Sequence, residues 1–399
     1  MIAVEFVTAA ASLRSILDSW LLLARSALEA NPFFYPGFLL PLLEELGWPA
    51  GAGFILVREA QGALLALWPV ALARRGPGGL VPVLRSAYNP APIHGLLATP
   101  LIDRERALEA LDAVLDALDR GALPAKLLEM VGHAEDGPFG RLLAERLAER
   151  GQPSLALPGW SRPLLRPRSS AEAYFEEALG GRHRRELARQ RRQLERQGRL
   201  RVATSRLDED VGPWCERFLA LEAAGWKGRA GTALASDPRD RRFFERACRD
   251  LGARGAVSFV ALELDDRPIA MACLLREPAP GGGAFVFKIA YDEAFRRQSP
   301  GMQLLLEQLR EIHEPGSSIG WIDSCASPHD TLYAQLWLDR RELGHRILAA
   351  RSLAGRLLVA TAREVDRLRR RARRHAAPDP ATTGSSAGKE YPEALRPLT

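Results

Sequence analysis

Cysteine is scarce in this chain and poorly placed for cross-linking. Cys215, Cys248, Cys273 and Cys325 are widely spaced along 399 residues, with no CxxC pair. This argues against a disulfide framework or a cysteine zinc site and fits reduced thiols in a cytoplasmic protein. Histidine is also sparse: the seven residues show no HExxH or similar spacing, so no metal is expected. No uncharged run approaches the roughly 18–20 residues that cross a bilayer. Nor is a secretory leader expected from the first residues. Met1–Thr8 carries an acid and no basic residue, and Arg14, Asp18 and Arg25 break the apolar stretch that follows.

What is present reads as globular. Hydrophobic residues make up 47% and charged residues 26%, and the length suits two domains better than one. The net charge of +6 is unevenly spread. Arg182–Arg201 holds nine Arg against Glu186 and Glu195, and Arg363–Arg374 holds seven against Glu364 and Asp366. Everything outside those two segments is mildly acidic, so whole-protein nucleic-acid binding is not expected.

The pattern predicts a strand at 2–7, a helix over 10–30, and a break at Asn31-Pro32, because the residue before proline is pushed out of the helical region. A second helix runs to about Leu46. A hairpin over 53–72, a strand at 80–84 and a loop at 88–92 follow, then a helix near 104–119, a strand near 125–131, a helix near 137–150 and a strand at 154–157. Pro158–Ser169, rich in Pro, Ser and Arg, reads as the boundary. Beyond it come helices 171–179 and 183–197, strand 199–205 and helices 209–224 and 238–253. Strands 257–264, 268–275 and 284–290 precede helix 300–312, strand 319–323, helix 330–337, strand 342–349 and helix 353–373. Both halves run helices, strand meander, then strand–helix–strand. The expected fold is therefore α/β, in two similar units over 1–158 and 159–375, each a mixed, largely antiparallel sheet flanked by helices. A disordered tail is expected over 376–399.

One stretch looks built to hold a phosphate. Strand 284–290 leads through Tyr291, Asp292, Arg296, Arg297 and Ser299 into the helix opening Pro300-Gly301-Met302-Gln303. Serine is a favoured N-cap and proline fits the first helical position. Glycine next costs about 1 kcal/mol against alanine, and its use is to let another group approach the backbone. Free N–H groups at a helix start, with two arginines just upstream, suit a pyrophosphate. Taken alone, the segment fits an ordinary capped helix beside a surface Arg pair better, because Ser-Pro-Gly helix starts are common.

Arg296, Ser299 and Gly301 fall on the (Gln/Arg)-x-x-Gly-x-(Gly/Ala) spacing of the GNAT acyl-CoA loop, with serine in place of the first glycine. Phe287-Lys288-Ile289-Ala290-Tyr291-Asp292 followed by Ser299-Pro300-Gly301 resembles the CelD/BcsL-type (cellulose-biosynthesis-like) acetyltransferases, in the FemAB-like branch that carries two GNAT folds in tandem. Leu221–Gly228 with Gly231–Leu234, Trp321–Ala326 and Asn31-Pro32-Phe33-Phe34 fit the same resemblance, which covers about 30–350. It implies tandem GNAT-like domains, the first non-catalytic, and a second that uses acetyl-CoA or another acyl-CoA as co-substrate. The implied reaction is N- or O-acyl transfer to a small-molecule or saccharide acceptor. Two alternatives accompany it: an aminoacyl transferase using charged tRNA, and a degenerate component of polysaccharide biosynthesis.

Acyl transfer from a thioester needs a base for the acceptor's proton, donors for the oxyanion and an acid for the thiolate. Lys288, Ala290 and Asp292 alternate on one strand face, so Asp292 is the candidate base and Lys288 an orienting cation. A strand-end salt bridge accounts for the pair equally well. The resemblance makes Tyr291 the candidate acid, against a packed aromatic. Glu222 and Trp226, four apart on a helix, with Lys227, form a candidate acceptor wall, against a plain C-cap. Asp323, ending an apolar strand, is expected to project into the crevice. Cofactor contacts are assigned to Arg296, Arg297, Ser299, Pro300, Gly301, Met302 and Gln303. Cys325 reads as a buried thiol, with His329 past Pro328. Arg185, Arg189, Arg192 and Arg196 share a helix face, either solvated or docking an anion.

Overall fold

A computed structural model of the chain describes residues 2–8, 10–48, 50–75, 79–87, 94–279, 281–328 and 330–375. The predicted loop at 88–92, His329 and the predicted tail lie outside them. Contacts divide the chain into two compact units. Unit 1 takes Met1–Glu29, Pro49–Trp160 and Glu342–Thr399, and unit 2 takes Ala30–Trp48 and Ser161–Arg341. The division is not the linear split expected at residue 158.

In unit 1, β1 (Ile2–Val7), β2 (Ala52–Glu59), β3 (Leu64–Arg75) and β4 (Val81–Ala87) form an antiparallel meander. The short β5 (Leu101–Ile102) pairs with β3, and β6 (Leu127–Ala134) lies parallel to β4. Helices α1 (Ala10–Arg14) and α2 (Leu17–Ser26) follow β1, α4 (Ala107–Arg120) makes the crossover to β6, and α5 (Pro138–Glu149) follows it. α4 is strongly amphipathic, with Ala110, Leu111, Val114, Leu115 and Leu118 buried against the sheet. Beyond β6 the ladder is completed by β13 (Asp339–Ala349), antiparallel to it.

Unit 2 repeats that plan. β8 (Leu200–Thr204), β9 (Val257–Leu264), β10 (Arg267–Arg276) and β11 (Gly282–Tyr291) form the meander, and β12 (Ile319–Asp323) is parallel to β11. The crossover is α11 (Pro300–His313), and α8 (Gly212–Ala224), α9 (Trp226–Arg229) and α10 (Pro238–Gly252) stand between β8 and β9. α6 (Ala171–Ala178) and α7 (Gly181–Glu195) precede β8. The antiparallel strand beside β12 is β7 (Ser154–Leu165). The strand that follows unit 1's helices thus closes unit 2's ladder, and the strand that follows β12 closes unit 1's. This is why Pro158–Ser169 is not a linker. The strand runs through Pro158 to Leu165, where Leu164 and Leu165 pair with Asp323 and Ile322.

Helix α3 (Pro36–Leu46) belongs to unit 2 although it lies between β1 and β2 in the chain. Asn31 accepts the Phe33 N–H at 3.2 Å, starting the turn Pro32–Phe34 that aims Phe33 inward. Phe33 and Phe38 meet Phe243, Phe285 and Phe287 edge-to-face at centroid separations of 5.3–6.3 Å. Such pairs each add about 0.5–1.5 kcal/mol beyond their area. On the rim, Arg246 and Arg242 pair with Glu45 at 2.6 and 2.8 Å. The helix predicted at 330–337 is only the single turn Tyr333–Gln335, packed by Tyr333 on Trp337. α12 (Leu353–His375) ends the described chain.

Candidate functional site

The site grows from a fork in unit 2's sheet. The β11–β12 ladder runs from Gly282–Ile319 to Phe285–Asp323 and stops, while β11 continues to Tyr291. Two local features open the fork. Opposite Cys273 and Leu274 the register slips so that Lys288 and Val286 are partners and Phe287 is extra, a bulge that twists the strand. On the other arm, Asp323 accepts the Cys325 N–H at 2.8 Å, and Cys325 turns the chain away with φ 50°.

Asp323 is fully buried. Arg162 holds both its oxygens, at 2.6 and 2.8 Å, and Arg341 adds a contact at 3.1 Å. Burial pushes its pKa up, but the two arginines outweigh that and hold it below the usual carboxylate range. Its carboxylate is therefore turned to Arg162 and Arg341 rather than into the crevice. Arg341 also stacks over Trp321, 4.5 Å from the ring centroid. Cys325 is buried too, and burial raises its thiol pKa well above normal, with the Asp323 charge adding to the effect. It remains a protonated thiol.

Beyond the fork the bulge places Lys288 beside Phe287, its Nζ 5.1 Å from the ring centroid. Ile289 and Tyr291 pack on the α11 side with Leu304 and Phe295. Asp292 accepts the Ala294 N–H at 2.9 Å and pairs with Arg267 at 2.7 Å, so it starts the 3-10 turn Glu293–Gln298. That turn carries Arg296 and Arg297, both exposed. Ser299 then sits in the left-handed region (φ 50°, ψ 56°), because the ring of Pro300 bars its neighbour from the right-handed helix.

The start of α11 has no side-chain cap. Pro300 has no N–H and the first helical bond is Gln303 N–H to Ser299 at 3.0 Å. The Gly301 and Met302 amides are thus the unspent donors of a 14-residue helix whose dipole favours an anion there. A Cβ built on Gly301 meets only Leu332 and Tyr291, at 3.7 and 3.8 Å. The fold itself would tolerate a side chain, so its packing does not require glycine. Gln303 is buried, donates to the Leu187 carbonyl at 3.0 Å, and keeps Oε1 without a hydrogen bond. Met302, Leu305, Leu306, Leu309 and Ile312 bury the opposite stripe, each leucine contributing about 1.5–3 kcal/mol.

Glu222 and Lys227 join this region from α8 and α9. Glu222 is buried and accepts from Lys227 at 2.7 Å and from the Leu234 N–H at 2.8 Å. Lys227 also donates to the Ile289 carbonyl at 3.1 Å, tying the helix end to the free arm of the fork. Trp226 is 40% exposed, and its N–H is held by Glu293, which pairs with Arg229. A cleft of about 280 Å³ lies here, lined by Leu221, Ala224, Gly225, Arg229, Asp292, Glu293, Ala294 and Arg296. Sequence reasoning missed Arg162 and Arg341. They lie 161 and 18 residues from Asp323, and only strand pairing brings them together.

Residues 181–329 match a family model described as "Acetyltransferase (GNAT) domain". No curated protein matches the chain. A conserved protein of unknown function from Bacteroides thetaiotaomicron aligns over 88% of this chain and 100% of its own, at 10% identity and TM-score 0.51. The C-terminal domain of a putative lysylphosphatidylglycerol synthetase from Agrobacterium fabrum covers 88% and 96%, at 12% identity and TM-score 0.47. A tandem GNAT protein from the clavulanic acid biosynthesis pathway covers 88% and 100%, at 14% and 0.40.

Proposed function

We propose that this protein is an acyl-CoA-dependent N- or O-acyltransferase whose reaction takes place in unit 2, with acetyl-CoA as the donor. The observation that carries the reading is the uncapped start of α11 set beside the unpaired arm of β11. In this reading the pyrophosphate sits on the Gly301 and Met302 amides, with Arg296 and Arg297 near its charge. The pantetheine arm lies along Val286–Tyr291, where backbone groups no longer paired to β12 supply hydrogen bonds. The acceptor enters by the cleft between α8 and the Glu293–Gln298 turn, and a small molecule or a saccharide fits its partly charged lining. No metal takes part in this scheme.

The acceptor's amine or hydroxyl attacks the thioester carbonyl. Asp292 takes its proton, the partner Arg267 being 72% exposed and so weakly held. Tyr291, beside Gly301, returns a proton to the departing thiolate. Lys288 stabilises the negative charge that develops between them. Glu222, Lys227 and Trp226 form the acceptor wall, and Asp323 acts at one remove by keeping the fork open.

Thermal unfolding with acetyl-CoA, with free CoA as control, tests the donor site. A ligand at about 100 times its Kd stabilises by about 2.7 kcal/mol, several degrees for a unit of this size. An upward shift with both ligands supports the reading, and no shift at millimolar ligand removes it. The arginines of α7 favour a second reading, an aminoacyl transfer from charged tRNA. Arg182, Arg185, Arg192 and Arg196 are exposed and recur on one helical face. That reading requires tRNA binding that weakens steeply with salt and is lost when these four are replaced by glutamine.

A further inference from the structure

The last helix carries a face that the fold leaves uncovered. α12 docks on unit 1 through Val359, which packs with Val83, Leu127 and Ala349, and Leu358 lies at the edge of that cluster. Its opposite side exposes Leu353, Leu357, Val365 and Leu368, at 76%, 60%, 41% and 62%. At 3.6 residues per turn these four fall within a sector of about 120°, with Thr361 and Glu364 among them. Four of the eleven large hydrophobic side chains exposed among the described residues stand on this one helix. The apolar strip is thus a feature of the face and not surface scatter.

Arginines border the strip. Arg356, Arg363, Arg367 and Arg370 run along one edge, Arg369 lies beyond the other, and Arg371 stands within it, all exposed. Against these six, Leu353–Arg371 holds only Glu364 and Asp366. Those acids pair with Arg367 and Arg370 at 2.6 and 2.7 Å, which leaves four arginines beyond the pairs.

We propose that α12 binds the surface of an anionic phospholipid bilayer, lying in the interface with Leu357, Val365 and Leu368 at the headgroup–acyl boundary and the arginines on lipid phosphate. The charge selects this occupant. A second copy of the helix would set two cationic strips against each other. A nucleic acid would satisfy the arginines but bury none of the leucines. An anionic membrane meets both demands at once, and arginine stems bury their methylenes while keeping the guanidinium at the headgroups. The helix is not apolar enough to span, so it lies on the membrane.

The full-length protein, sedimented with vesicles of equimolar phosphatidylglycerol and phosphatidylcholine and with phosphatidylcholine alone, provides the test. Binding to the anionic vesicles should exceed the neutral control by about tenfold or more and fall as salt rises. Leu357→Gln with Leu368→Gln should weaken it by about tenfold with every arginine intact. Both side chains are exposed, so the melting temperature should stay unchanged and a folding defect is separable. Arg363→Gln with Arg369→Gln should weaken it as well. Equal binding to the two vesicle types would overturn the proposal. So would a leucine variant that binds like the parent while duplex DNA competes, which would make the face a polyanion surface. Failure to bind vesicles, with dimerisation lost in the leucine variant, would assign the face to a second copy.

Discussion

The two units share one ladder, three antiparallel pairings, one parallel and one antiparallel, yet the chain approaches the crossover helix differently in each. In unit 1, Asp103 fills the approach to α4: its Oδ1 accepts the Glu105 and Arg106 N–H groups at 3.1 Å each, and its Oδ2 takes the Ser26 hydroxyl at 2.6 Å. Arg106 spans Glu59 and Glu109 just behind it. Neither α4 nor α11 has a side-chain cap, but α11 is approached through Arg296, Arg297 and Ser299-Pro300-Gly301 rather than through a carboxylate. The strands differ in the same sense. Among the described residues β4 is paired to β6 through Ala87, where the described stretch ends, whereas β11 runs six residues past its ladder with β12. A shared topology therefore supplies only the scaffold. Whether a unit offers an anion site depends on a few residues at one helix start and on whether the parallel pair is zipped or forked.

That contrast can be broken in several places. The largest effect is expected at Asp323. Asp323→Asn leaves Arg162 and Arg341 buried without their counter-charge and should cost about 3–5 kcal/mol in urea unfolding. Because Asp323 has a depressed folded pKa, its contribution is complete above the unfolded value of about 3.9 and fades as pH falls through the folded one. The gap between parent and variant should close only in acid. An Asn variant that unfolds like the parent but loses activity would instead give Asp323 a direct part in the chemistry.

Next comes Gly301→Leu. The fold has room for the side chain, so stability should change little while the Kd for acetyl-CoA rises about 100-fold, equal to roughly 2.7 kcal/mol by calorimetry. Ser299→Asp puts a carboxylate at the start of α11, and acetyl-CoA should bind about tenfold more weakly through charge repulsion. Tighter binding would show that the pyrophosphate lies elsewhere. The smallest effect is at Asp103→Ala, about 1 kcal/mol of stability with acetyl-CoA binding untouched. Any loss of binding there would mean that unit 1 also takes the cofactor.

Unit 1 has its own buried charge, and it sharpens the contrast with Asp323. Burial pushes the Glu129 pKa up, but His345, Arg75 and Arg85 more than compensate, bringing it to about 2. Its contribution is also full above the unfolded carboxylate range and is lost as pH falls toward 2. The two units should therefore both weaken in acid, through unrelated clusters.

Much of this was legible beforehand because it is local. Alternation marked the meanders, 3.6-residue spacing marked α4, α10 and α11, and Ser299-Pro300-Gly301 announced a helix start whatever surrounds it. The match of 181–329 to a GNAT domain covers the stretch where the motif was read. The reading failed where partners are distant. Pro158 looked like a linker because its role is to carry β7 on to β12. Asp323 looked like a crevice carboxylate because nothing nearby announces Arg162 or Arg341.

The sequence by itself determined most of the helices and strands, where α11 begins, and that its first turn carries glycine, since these follow from backbone sterics and short-range periodicity. The tertiary structure alone decided that Ala30–Trp48 joins the second unit, that β7 closes the second unit's ladder and β13 the first's, and that Asp323 is a clamp. Each of those depends on pairing between residues far apart in the chain. No spacing rule encodes such pairings, because only burial and hydrogen-bond geometry in the folded state select one partner among many.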